Sequence, residues 1–124
     1  MARRRAVTTN ARSMAYARSQ GWLAGVVERR LPKTFTTKDL FGVFDLVVLR
    51  GGDAPTVVGV QTTSADHHSE RVAKVLAWPE LDLWLAAGAQ AEVWSWRKAG
   101  ARGTRKLWQV RVEAVAPAPA ASLP

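Results

Sequence analysis

Residues 41–64 read FGVFDLVVLRGGDAPTVVGVQTTS. Two short runs rich in β-branched and aromatic residues, 42–49 and 56–63, flank Gly51-Gly52 and Pro55, which favour a turn. Both runs read as buried strands. The first nevertheless carries Asp45, and the second ends in Gln61, Thr62 and Thr63. A carboxylate in a buried strand loses hydration, which is costly unless it is paired or bound to a cation. Side chains two residues apart share a strand face, so Gln61 and Thr63 are expected to be neighbours. If the two strands pair, Asp45 can lie opposite them, and Glu28 from an upstream strand can join the same side. The plainer alternative is that Asp45 caps a turn or pairs with an arginine, while Gln61 and Thr63 merely end a strand.

Working outward, ARSMAYARSQ (11–20) has helical spacing, with Thr9 and Asn10 offered as caps and Gly21 as its end. WLAGVVERR (22–30) reads as a strand and LPKTFTTKD (31–39) as a polar connection. After the second apolar run, Ser64 or Asp66 is expected to cap a helix that breaks near Trp78 at Pro79 and closes at Gly88. AEVWSWRK (91–98) and KLWQVRVEAV (106–115) are two further strands. The order α-β-β-β-α-β-β implies an α/β fold with a mixed sheet flanked by helices. Residues 1–115 are expected to form one domain with a basic N-terminal arm, and 116–124, APAPAASLP, a disordered tail.

Charge points to a polyanion. Eighteen Lys and Arg oppose ten Asp and Glu, a net charge of +8. Residues 1–27 hold five arginines and no acid, and residues 97–111 hold six Lys or Arg and no acid. Such fields attract phosphate backbones through counterion release. With no cysteine there is neither a disulfide framework nor a thiolate metal site. No apolar run is long enough to span a bilayer, so a cytoplasmic location is expected.

KDLFGVFDLVVL, VVGVQTTS, HHSERVAKV and WLAAGAQAEVWSWRK together resemble small phage-type nucleases of the PD-(D/E)XK superfamily, with the Holliday-junction-resolvase branch the nearest in kind. The resemblance covers about residues 10–115 and implies a restriction-endonuclease-like core. It further implies an Mg²⁺-dependent (or Mn²⁺-dependent) endodeoxyribonuclease acting on branched or junction DNA, with a homodimer as the assembly. In that superfamily a strand aspartate and a Glu-x-Lys hold metal ions, joined by a further acid. Asp45 matches the aspartate. Gln61 stands at the Glu position and Thr63 at the Lys position, and both are departures. An amide carbonyl can ligate Mg²⁺ but brings no charge, and threonine cannot stabilise developing phosphorane charge as an ammonium can. Lys74 or Arg71 on the following helix can replace the missing cation; alternatively Lys74 is a solvated helix-face charge. Glu28 and Asp39 compete to be the second acid, Glu28 slightly ahead, since Asp39 can instead cap the turn before the strand.

The expected metal set is therefore Asp45, Gln61, Glu28 and the Thr62 backbone carbonyl. The expected DNA grip is Arg3, Arg4, Arg5, Arg97, Lys98, Arg102, Arg105 and Lys106. His67 and His68 lack a second histidine motif, which favours a surface or phosphate-contact role over metal ligation. Trp94, Trp96 and Trp108 read as a packed cluster on one sheet face. The rival expectation is a DNA-binding module that keeps the nuclease fold and has weakened or lost the chemistry.

Overall fold

The structure, a computed structural model, describes residues 7–31 and 37–117. Arg3, Arg4 and Arg5 of the expected arm and residues 118–124 of the expected tail lie outside the described residues. The run around Asp45 is not one strand. The Gly42 N–H donates to the Asp39 carbonyl (3.1 Å), and the Val43 and Phe44 N–H groups donate to the Leu40 carbonyl (3.0 and 3.1 Å). Phe41 (φ 56°) and Gly42 (φ 73°) both adopt the left-handed conformation that this tight loop needs. The strand, β4 (Leu46–Arg50), starts one residue after the aspartate.

In an unbroken strand Phe44 and Leu46 would share a face. Here they enter different cores, because the chain rolls over at Asp45. The Asp45 carbonyl accepts both the Val27 N–H (2.9 Å) and the Glu28 N–H (3.2 Å), so two residues oppose one in the manner of a bulge. An apolar sequence thus hides a bend, and the bend carries the carboxylate out of both cores to the end of the sheet.

Five strands form the main sheet in the order β1-β4-β5-β6-β7: β1 is Leu23–Val26, β5 Thr56–Ser64, β6 Gln90–Ala99 and β7 Leu107–Ala114. All neighbours are antiparallel except β5 and β6, which run parallel. A parallel neighbour requires a crossover, supplied by a 3-10 turn (Ala65–His67), α2 (His68–Leu76) and α3 (Leu81–Ala86). The break between α2 and α3 falls at Pro79, as its missing N–H dictates. Neither Ser64 nor His67 makes a side-chain cap bond, and Asp66 sits inside the 3-10 turn, so the expected cap is not formed. The run expected as one strand over 22–30 is split: its end, β2 (Arg29–Arg30), pairs with β3 (Thr37–Lys38) from the expected polar connection as a small separate ribbon. The protein is therefore α/β, with a five-stranded mixed sheet and helices on both faces.

On one face, α1 (Thr9–Ser19) covers Leu46, Val48, Val58, Val60 and Trp94. On the other, α2 and α3 cover Val43, Phe44, Ala91 and Val93. Gly59 lets the two layers close: a Cβ there would lie 2.7 Å from the Phe44 ring. Trp94 and Trp96 are buried beside Tyr16, as expected for packing, whereas Trp108 is 47% exposed under the Arg12 guanidinium, 3.8 Å from its ring centroid. Among the described residues, no helix is long and apolar enough to cross a membrane.

Candidate metal centre

Three elements deliver one carboxylate each to the same end of the sheet. Glu28 follows β1, Asp39 precedes the tight loop, and Asp45 sits at the bend before β4. One oxygen from each lies within 4.8 Å of the others. The three acids line a cleft of about 420 Å³ with Thr8, Thr9, Asn10, Gln61, Thr62 and Arg71. Glu28 and Asp39 are thus not alternatives; the fold brings both to Asp45.

Asp45 is 5% exposed. Its Oδ2 accepts from Gln61 Nε2 (2.6 Å) and from the Thr62 backbone N–H (2.9 Å), with Thr62 Oγ1 3.4 Å away. Burial, opposed by the Thr62 hydrogen bond and reinforced by the Asp39 and Glu28 charges, pushes its carboxyl up to about 7. A group so placed gains from any cation that offsets the three charges.

Gln61 is buried, and its Oε1 has no hydrogen-bond partner among the described residues. Three carboxylates, with a side-chain amide against Asp45 whose oxygen is unpartnered, offer hard oxygens, which suits Mg²⁺, Mn²⁺ or Ca²⁺ and not a soft metal. These residues can hold a metal ion. In an extended strand the N–H and C=O of one residue leave on the same edge. The Thr62 carbonyl is therefore directed to the edge where its N–H meets Asp45, past the point where β4 stops pairing.

Thr63 is not part of the cleft. It is buried and shares a strand face with Gln61 as alternation demands, but it lies two residues further on, paired with Ser95. Thr62 takes the expected place beside Asp45. Lys74 on α2 reaches the site's edge, its Nζ 3.3 Å from Asp39 Oδ2, and is not a wholly solvated charge. Arg71, one turn earlier, lines the cleft.

The sequence reading missed the contribution of α1. Thr8, rather than Thr9 or Asn10, caps the helix, its Oγ1 accepting from the Ala11 N–H. That leaves Asn10 for the site: its Nδ2 donates to Glu28 Oε2 (3.0 Å) and its Oδ1 accepts from Thr62 Oγ1. Thr9 Oγ1 lies 3.3 Å from the same hydroxyl. A first-turn Asn after two threonines was the available signal, but the sequence could not say which residue caps.

Of the expected DNA-binding residues within the described chain, Arg97, Lys98, Arg102, Arg105 and Lys106 are exposed. They lie on the hairpin of β6 and β7. The last β5–β6 pair is Ser64 with Trp96, while Arg97, Lys98 and Ala99 continue to pair with β7. Because β5 and β6 are parallel, this basic hairpin overhangs the sheet at the end that holds the acidic cleft. His67 is exposed, but His68 is buried at 4%, against expectation of a surface role. No family model, curated protein or solved structure matches the chain.

Proposed function

We propose that the protein is a metal-dependent, structure-selective DNA endonuclease with a restriction-endonuclease-like core, related to the Holliday-junction-resolvase branch of the PD-(D/E)XK superfamily. The observation that carries this reading is the Glu28–Asp39–Asp45 cluster beside the unpartnered Gln61 Oε1, at the sheet end overhung by a basic hairpin. Asp45, Glu28 and Asp39 hold the ion, with Gln61 Oε1 and the Thr62 carbonyl as neutral oxygens. A bound Mg²⁺ or Mn²⁺ supplies Lewis acidity, offsetting phosphodiester charge and easing deprotonation of water.

The chain's own residues do the rest. Asn10 orients Glu28 and Thr62, as a hydrogen-bonded partner behind a ligand does. Lys74 supplies the ammonium that position 63 lacks, held at the cleft's edge by Asp39. Arg97, Lys98, Arg102, Arg105 and Lys106 grip the backbone without reading bases, which fits selection by DNA shape. A four-way junction carries two-fold symmetry, and a two-fold dimer matches it.

The test is cleavage of synthetic junction, flap and linear duplex DNA with Mg²⁺ or Mn²⁺, alongside Asp45→Ala. Branched DNA is expected to be cut by the wild type alone, and both proteins are expected to bind it. Binding without cleavage at any metal concentration favours the second reading, a DNA-binding module with lost chemistry. The threonine at position 63 is the observation on that side.

A further inference from the structure

A second polar cleft, of about 480 Å³, opens on the α2 side of β6 and β7 and is lined by Ala65, Ser95, Arg97, Gln109, Val110 and Arg111. Ser95 is paired with Arg111, and Arg97 with Gln109, so these four side chains project from one sheet face. The floor is internally satisfied. Ser95, 1% exposed, has its Oγ 2.7 Å from His68 Nδ1, and His68 Nε2 lies 2.9 Å from Glu113 Oε1. A carboxylate only accepts, so the proton between His68 and Glu113 sits on Nε2.

The two guanidinium groups are not satisfied in this way. Arg111 gives one nitrogen to Glu113 Oε1 (3.1 Å), which leaves its other donors for the cleft. Among the described residues, Arg97 forms no hydrogen bond or ion pair. Two planar donor forks and the Gln109 amide therefore line one cleft, while the nearby Glu113 carboxylate, whose Oε1 already meets His68 and Arg111, is not part of its lining. That arrangement selects an oxyanion with several acceptor oxygens, and arginine forks match phosphate in particular.

Position names the source of the phosphate. Ser95 pairs with Thr63 near the end of β5, at the sheet end where the acidic cleft opens. Two strand spacings of about 4.8 Å and roughly two residues of rise put it about 12 Å from Asp45. Each nucleotide rises about 3.4 Å along the axis and its phosphate is also displaced around it, so this distance spans at most a few nucleotides of one strand.

We propose that the Arg97–Arg111 cleft binds a phosphate of the same DNA strand that the acidic cleft engages, a few nucleotides from the attacked bond. The proposal rests on the nuclease reading for the identity of the strand. Its test needs no cleavage: binding of junction DNA in EDTA, measured against salt, for the wild type, for Arg97→Ala/Arg111→Gln and for Gln109→Glu. The double variant is expected to lower the slope of log affinity against log salt by about 0.9, the value of one duplex phosphate. Gln109→Glu, an exposed change that leaves both arginines in place, is expected to weaken binding at every salt concentration. Inorganic phosphate is expected to raise the melting temperature of the wild type and not of the double variant. An unchanged slope in the double variant, with unchanged affinity in Gln109→Glu, overturns the proposal. Phosphate protection with unchanged DNA slopes assigns the cleft to free phosphate and refutes the backbone role. Altered slopes in a protein that cuts nothing with Mn²⁺ uphold the phosphate site while ending the nuclease reading.

Discussion

Replacing Asp45 by asparagine should stabilise the metal-free protein at pH 8, although under the proposed reading it removes a metal ligand. The Asp45 carboxyl is raised from 3.8 to about 7, first by burial and then by the charges of Asp39 and Glu28. The sign follows from linkage. Between these two values the folded state holds a proton that the unfolded state has released, so wild-type stability falls as pH rises through that window and is flat above it. At about 1.4 kcal/mol per pH unit, the loss from pH 5 to pH 7 is on the order of 3 kcal/mol. The uncharged amide of Asp45→Asn has no such dependence. Its side-chain oxygen, placed where Asp45 Oδ2 lies, still accepts from the Thr62 N–H and from Gln61 Nε2.

Urea unfolding at pH 5 and pH 8, without metal, measures this directly. The stability gap between Asp45→Asn and wild type is expected to widen by about 3 kcal/mol at the higher pH. Adding Mn²⁺ should then reverse the order at pH 8, because an ion at about a thousand times its dissociation constant stabilises the wild type by about 4.1 kcal/mol and the variant hardly at all. A gap that does not change with pH refutes the electrostatic account of the site. Equal stabilisation of both proteins by Mn²⁺ refutes Asp45 as a ligand.

Three further outcomes test neighbouring parts of the site. Gln61→Glu adds a fourth carboxylate 2.6 Å from Asp45, so the metal-free protein should lose a few kcal/mol at pH 8 while half-maximal cleavage needs less Mg²⁺; urea unfolding and a metal titration read the two effects. Lys74→Ala breaks a part-exposed pair with Asp39 and should change stability by less than about 1 kcal/mol, yet lower the cleavage rate by about 10²-fold with DNA affinity kept, and Lys74→Arg should restore part of it. Asn10→Ala leaves Glu28 and Thr62 without their shared partner and should cost about 1–3 kcal/mol, with metal affinity down about tenfold by calorimetry.

The strands were legible where the pattern is local. β5, β6 and β7 follow from β-branched runs and alternation, and the parallel β5–β6 pair follows from the helix between them. Asp45 was legible as an anomaly but not as a bend, because a continuous apolar run records burial and not direction. Phe44 and Leu46 are equally hydrophobic whether they face one core or two. The competition between Glu28 and Asp39 dissolved for a related reason: three carboxylates meet through tertiary closure, and spacing along the chain does not encode it. His68 did leave a trace. It stands four and seven residues before Val72 and Val75, on the apolar stripe of α2, and that periodicity outweighs the polar character of its neighbours.

Under the proposed reading, the two departures from Glu-x-Lys are better understood together than apart. A glutamate at 61 and a lysine at 63 carry no net charge as a pair, and neither do Gln61 and Thr63. With three acids already within 4.8 Å, and Asp45 held near 7, a fourth carboxylate would raise the cost of the empty site. Gln61 avoids that cost and offsets part of it by donating Nε2–H to Asp45 while no ion is bound. Turning its amide by half a revolution exchanges donor for carbonyl within nearly the same volume, so one side chain serves the empty and the loaded site. A lysine at 63 would have no fourth acid to balance, and the cation comes instead from α2, where Lys74 already meets Asp39. The arrangement is one in which ion binding, and not the protein's own charge, completes the electrostatics of the cleft.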